Sequence, residues 1–423
     1  MADVANASFI GRAFDRARLA MLADWLAVAV AVALPWSTTF SEVFIILWLL
    51  ALLPTLSLAD LRREFSSAAG GLAALLWLAG ALGMLWAHVS WYERFAGLGG
   101  FHKLLVIPLL LAQFRRSGRG LPVLFGFVIS CSVLLAASWV LRIMWDLWGG
   151  DVFYIRDKLP GVPVRDYIAQ STEFVVCMVG LGAAAYEMAR GGRVRLAAVL
   201  GALALLFLAN ILYVSPSRSA LVVLPFLIAL WGMRQFGWKG FAGAVLAAIV
   251  IAGVAWAASP FLRARVTSVF EEVQTYRSED AKTSAGLRLE FWKKSIGFVA
   301  EAPLFGNGTG SIPDLFRRAA KGESGAESVA SVNPHNQYLA VAIQLGLFGV
   351  ALLIAMWIAQ FALFRGSGLL GGLGAMMVLQ NVVASAFNSH LFDSFHGWLY
   401  VFGVGVLGGM VLHRKHDARE KTA

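Results

Sequence analysis

The chain has 423 residues, of which 59% are apolar and only 14% charged. A water-soluble chain of this length could not hide so much apolar side chain, so lipid must be its solvent. The net charge of +10 does not point to nucleic acid, because Lys and Arg stand in short clusters between apolar runs, as membrane proteins distribute them.

Runs of the length a spanning helix needs recur at 19–36, 40–58, 71–88, 98–114, 121–147, 169–189, 196–214, 219–233, 240–258, 336–364, 368–388 and 397–412. The expected fold is therefore all-α and polytopic, with about twelve transmembrane helices, since lipid leaves backbone polar groups no other partner. The first run lacks a small-residue cleavage site and leads straight into the second, so it is expected to be a span and not a removable signal. Cys131 and Cys177 both fall inside apolar runs, which indicates neither a disulfide framework nor a thiolate metal site. The run 336–364 leaves two readings open, one long span or a short lead-in helix followed by a span.

Charge sets the direction. With the amino terminus cytoplasmic, the inside loops carry Arg62, Arg63, Arg115, Arg116, Arg119, Arg190, Arg193, Arg195, Arg234, Lys239 and Arg365. The short outside loops carry only Arg94, Arg156, Lys158, Arg165 and Arg218. This asymmetry, with both termini inside, satisfies the positive-inside rule. The domain division that follows is 1–258 for nine spans, 259–334 for a large outer insert, 335–412 for three more spans and 413–423 for a cytoplasmic tail.

The insert is polar and of mixed charge. Within it, 284–301 spaces Leu287, Phe291, Ile296 and Phe298 among charges, which predicts an amphipathic helix. A turn at Ala302-Pro303, a glycine-rich stretch over Gly306–Gly310 and a short helix from Ile312 to Ala320 follow. The glycine-rich stretch has no strand before it, so a turn is the better reading than a phosphate cradle.

Charged groups in or beside a span are costly and are functional candidates by default. His102 and Lys103 open the fourth span at its outer end, Arg142 sits just inside the outer end of the fifth, and Arg156 lies in the adjoining loop. Arg218 occupies the tight outer link Ser215-Pro216-Ser217-Arg218-Ser219. All share one depth, whereas the competing reading, that Lys103 and Arg142 simply snorkel, does not require a shared leaflet. At the re-entry Ser331-Val332-Asn333-Pro334-His335-Asn336-Gln337-Tyr338, Asn333 suits an N-cap and Pro334 a first helical residue. His335 is then expected in the first helical turn, where the helix dipole favours a neutral, proton-accepting imidazole and an anion nearby. The competing reading is an interfacial His packed beside Tyr338. His390, Asp393 and His396, spaced by threes in the last outer loop, are too few for a metal site, and none is expected.

Three stretches together resemble the lipopolysaccharide O-antigen ligases of the O-antigen ligase/polymerase superfamily. "SPSRSALVVLPFLIALW" from Ser215 is similar to their Ser-Arg-small entry into a span. "GLRLEFWKKSIGFVAEAPLFGNGTGSI" from Gly286 is similar to their Arg-containing helix followed by Pro-Leu-Phe-Gly-x-Gly, and "NPHNQYLAVAIQLGLFGVALLIA" from Asn333 to their His-Asn-x-x-Leu…Gly-Leu-x-Gly segment. The resemblance covers 215–364 and implies a GT-C-like membrane glycosyltransferase of the bacterial inner membrane, its site facing the periplasm. It implies an undecaprenyl-pyrophosphate-linked glycan as donor, a sugar hydroxyl of lipid A–core as acceptor, and an inverting reaction with no metal or other cofactor. Matched by motif, His335 and Arg288 are the catalytic candidates and Arg218 a substrate-binding one; Lys103, Arg142, Arg156 and Asn336 join the substrate-binding set. Arginine gives pyrophosphate a permanent charge and a planar fork, and His335 is the base candidate among these residues. Two rivals stay open: an O-antigen polymerase with the same donor, and a lipid-linked-glycan transporter, which would be expected to show two related halves and midplane charges.

Overall fold

The computed structural model describes residues 15–149, 160–164, 166–214, 217–258, 260–279, 281–366 and 368–421. Among them are sixteen α-helices and no strand: α1 Arg16–Ala33, α2 Thr38–Leu52, α3 Leu58–Phe65, α4 Ala68–Gly83, α5 Trp91–Leu98, α6 Val106–Ser117, α7 Leu121–Trp148, α8 Tyr167–Arg190, α9 Val194–Tyr213, α10 Arg218–Ala258, α11 Pro260–Glu279, α12 Ser284–Glu301, α13 Ile312–Ala320, α14 Gln337–Leu363, α15 Gly368–Ala384 and α16 Ser394–Glu420. The protein is an all-α, multi-pass membrane protein. Large apolar side chains such as Phe40, Leu50, Ile129, Val133, Leu205 and Ile249 stand exposed along its helices, an arrangement that only a lipid solvent stabilises.

Seven helices are long and apolar enough to cross a membrane, or nine if the bent pairs α3–α4 (83°) and α5 with His102–Ser117 (46°) each count as one. The other predicted segments also coincide with helices. α1 carries Arg16, Arg18 and Asp24, α15 is short, and α10 is two helices. Gly237, at φ 63° and ψ −147°, reverses the chain in α10, and a Cβ on Gly240 would stand 2.1 Å from the Gly232 carbonyl oxygen. The predicted division between 219–233 and 240–258 therefore falls at a hairpin.

Polar contacts sort the loops into two ends. At one, Arg116 donates to the Thr55 carbonyl at 2.6 Å, Arg115 to Glu64 at 3.0 Å, Arg234 to the Phe364 carbonyl at 3.1 Å and Lys415 to the Leu363 carbonyl at 3.3 Å. Here basic side chains cap helix C-terminal carbonyls, which favours them electrostatically. At the other end Arg317 pairs with Glu93, Ser394 donates to Glu42 at 3.0 Å, and Lys103 donates to the Phe392 carbonyl at 3.3 Å. The insert and the loops expected outside share this second end.

The insert has a small core of its own. The Phe316 ring meets those of Phe291 (5.5 Å) and Phe298 (5.2 Å) edge-on, over Ala340 and Ile343 of α14. The helices expected at 284–301 and 312–320 are α12 and α13. Of the four apolar positions predicted to anchor α12, Phe291 and Phe298 are buried and Leu287 partly so, but Ile296 is 62% exposed.

Gly346 decides the reading left open for 336–364. At φ 64° and ψ −162° it breaks α14 into a lead-in helix and a longer one. The backbone groups freed by the break are met by the glycine-rich loop. Asn307 and Gly308 N–H donate to the Ile343 and Gln344 carbonyls (2.7 and 3.0 Å), and Leu347 and Phe348 N–H donate to the Pro303 and Leu304 carbonyls (2.8 and 3.2 Å). The Pro-Leu-Phe-Gly-x-Gly stretch is thus a splice that closes a broken helix, as a buried backbone requires. A Cβ on Gly346 would stand 2.3 Å from the Leu304 carbonyl. Gly346→Ala is expected to destabilise the protein by at least about 2 kcal/mol, from left-handed strain plus clash, read as a lowered unfolding temperature in detergent.

Candidate functional site

Asn336, and not Asn333, caps α14. Its side chain accepts from Leu339 N–H at 3.1 Å, and its amide donates to the Ala386 carbonyl at 3.1 Å. The amide is committed at both ends to placing the helix, which leaves it a structural task beside the substrate-binding one expected. His335 therefore lies one residue before the cap, outside the first turn where the sequence placed it. The reason is local. The Asn333 side chain accepts from His335 N–H at 2.8 Å, an Asx turn that spends the would-be cap on the loop. This turn leaves His335 at φ 53°, the only non-glycine residue at positive φ among those described. A backbone held in this region is stabilised by its surroundings or not at all.

Those surroundings come from two elements. The loop 385–393 supplies Asn388, whose Oδ1 lies 3.0 Å from His335 Nδ1. Helix α12 supplies Phe291, whose ring stacks on the imidazole at 6.1 Å and 21°. Three residues earlier on the same helix stands Arg288, half-buried, with no hydrogen bond or ion pair among the described residues. Its charge bears on His335 and on His390. Burial pushes the His335 pKa below the ordinary value and Arg288 adds to this, while the Asn388 bond opposes both. The direction matches the expectation, but burial and Arg288 produce it; the helix dipole does not act from the first turn.

Arg218 joins the same neighbourhood, since its charge bears on Arg288. It holds Glu272 of α11 through a 2.6 Å ion pair and donates to Ser268 at 3.1 Å. A carboxylate forked against a guanidinium occupies the geometry a phosphate would use. Glu272 also accepts from Ala285 N–H at the start of α12, at 2.8 Å, so one carboxylate ties α10, α11 and α12 together around this arginine.

The remaining candidates fall differently. Lys103 does not snorkel: it is 4% exposed and points at the loop that carries Asn388. Arg142 pairs with Asp146 on its own helix at 2.9 Å and makes no described contact with the His335 group. Arg156 lies outside the described residues, as do Ser215 and Pro216 of the Arg218 link. Asp393 accepts from His396 at 2.9 Å, and His390 packs its ring 4.0 Å from that of His396, with neither ring nitrogen partnered. Sequence reading missed Asn388, Phe291 as a ring partner, and Glu272. For Asn388 a signal existed: it stands two residues before His390 in a polar loop that the sequence places outside.

The site can hold an anionic group on arginine beside an imidazole with a free nitrogen. A protein of Haemophilus influenzae, described as uncharacterized, is 23% identical over 194 residues, which are 45% of this chain and 42% of that protein. The chain thus spans less than half the length of this relative. The family model described as O-antigen ligase matches residues 203–354, a segment that contains Arg218, Arg288 and His335. Over that segment the chain is similar to the O-antigen ligase family.

Proposed function

We propose that the protein transfers a glycan from undecaprenyl pyrophosphate to a sugar hydroxyl of lipid A–core at the periplasmic face of the inner membrane. The observation that supports this most is the juxtaposition of His335, whose Nε2 makes no described hydrogen bond, with Arg218 and with Arg288, which makes no described ion pair. Arg288 and Arg218 bind the pyrophosphate, and Glu272 yields its place on Arg218 to the donor. His335 Nε2 takes the proton of the acceptor hydroxyl as its oxygen attacks the anomeric carbon. The bond from that carbon to the pyrophosphate oxygen breaks, and undecaprenyl pyrophosphate departs with the electron pair. Attack opposite the leaving group inverts the anomeric centre. Lys103, Arg142, Arg156 and Asn336 complete the proposed substrate-binding set, with Lys103 positioned through the 385–393 loop. Pyrophosphate leaves readily once its charge is met by arginine, so no metal is required. Activity is expected to survive chelator; loss in chelator restored by magnesium would defeat the metal-free step.

Chromosomal deletion followed by a lipopolysaccharide gel tests the reaction. Bare core with polymerised glycan persisting on undecaprenyl pyrophosphate is the expected pattern. Core carrying a single repeat would assign the polymerase reaction instead.

The orientation is tested separately. Tags at 117, 192 and 237 are expected to report cytoplasm, and tags at 160 and 320 periplasm. A periplasmic tag at 192 would break the proposed sidedness.

A further inference from the structure

A histidine acts as a base only through a nitrogen that bears no proton, so the tautomer of His335 matters as much as its pKa. The proton's place on the ring follows from the partners that its nitrogens meet. The Ser389 backbone N–H, an obligate donor, lies 3.0 Å from Asn388 Oδ1. That atom is therefore the oxygen of the amide, and it also accepts from Asn333 Nδ2 at 3.3 Å. Asn333 is oriented in turn, because its own oxygen accepts from His335 N–H and from Ser389 Oγ at 2.7 Å. An oxygen fixed in this way can only accept, so His335 Nδ1, at 3.0 Å, must carry the proton. Nε2 is left as a bare lone pair, with no hydrogen bond from any described residue.

We propose that Asn388 is the positioning residue of the proton-transfer step: it locks His335 in the tautomer whose Nε2 can accept the acceptor's proton, and as an amide it does so without charging the ring. The inference rests on His335 acting as base in the proposed reaction.

The choice of amide over carboxylate carries this argument. Every contact to Asn388 Oδ1 comes from a donor, and Asn388 Nδ2 makes no described bond, so aspartate would satisfy the same three donors. Aspartate would also stabilise the imidazolium and raise the pKa of the base. Arg288 from α12 is the charged group that faces His335, and Phe291 from the same helix and Asn388 and Ser389 from the loop are neutral. With asparagine the base stays neutral, and with aspartate it would not at mildly acidic pH.

Two substitutions in the purified full-length protein, assayed with undecaprenyl-pyrophosphate-linked glycan and lipid A–core across pH, test this. Asn388→Ala removes the acceptor, and kcat is expected to fall on the order of tenfold to hundredfold with KM for the donor little changed. Asn388→Asp is expected to restore kcat at neutral to alkaline pH and to move the acid limb of the profile to higher pH. A merely structural role would not move that limb. Wild-type kcat and an unshifted limb in Asn388→Ala would overturn the proposal, and so would an Asn388→Asp protein that unfolds at the wild-type temperature yet is as inactive as the alanine variant. His335→Ala separates the two levels. If it remains active, the reading of His335 as base fails; if it is inactive while both Asn388 variants behave as wild type, only the present inference fails.

Discussion

His335→Ala is expected to abolish glycan transfer, by at least about 100-fold, while the donor still binds. The arginines proposed to grip pyrophosphate remain in this variant, and Asn388 loses only one of three donors to its oxygen. The pH profile of the wild-type protein carries a second part of the expectation. Burial and Arg288 lower the His335 pKa from its ordinary value near 6.5. Imidazolium cannot accept a proton, so activity is present above that lowered pKa and is lost as pH falls through it. The acid limb should therefore lie below the usual histidine range. Near-normal turnover in His335→Ala would remove it as base and leave the arginines alone in the site.

The arginines should separate activity from stability. Arg288 is half-buried with no described ion pair of its own, although the charges of Glu272 and Arg218 both bear on it, and its burial costs folding free energy, as is typical of a group kept for a ligand. Arg288→Ala is expected to cut transfer by about 100-fold or more while unfolding at the wild-type temperature or above it. Arg218→Ala should cut transfer too, but it strands Glu272, and with both partners about one-quarter exposed the loss of stability is about 1–2 kcal/mol. The lysine variants of both keep the charge and lose the planar fork, so each should transfer poorly at normal protein levels. Thermal unfolding in detergent and initial rates on the same preparations read both quantities. Wild-type rates in both lysine variants would mean that these arginines do not hold pyrophosphate through their forks.

Much of the fold was legible because the membrane simplifies the problem. Once lipid is the solvent, a run of about 20 apolar residues has one structural outcome, and its ends are marked by residues that lipid rejects. The helix at 284–301 was legible for a different reason, the spacing of Leu287, Phe291, Ile296 and Phe298 against a polar background, although the fold buries Phe291 and Phe298 and leaves Ile296 exposed. Breaks inside helices were harder. Gly237 fell between two predicted spans, but Gly346 sits in an unbroken apolar run, and what permits its break is a loop some forty residues earlier in the chain.

The composition and the basic clusters determined by themselves that this is an all-α membrane protein, and the order of three short motifs carried its resemblance to the O-antigen ligases and marked His335, Arg288 and Arg218. Those signals are local: each depends on residue type and spacing, which the chain states directly. Tertiary structure alone decided the state of the marked residues. It set His335 before its helix in a left-handed turn, because Asn333 and Asn336 compete for one cap and the loop claimed Asn333. It paired Arg218 with Glu272 and left Arg288 unpaired, and it brought Asn388 to the imidazole across fifty-three residues. A proton's place on a ring is fixed by whichever atom meets the other nitrogen, and only the folded chain supplies that atom.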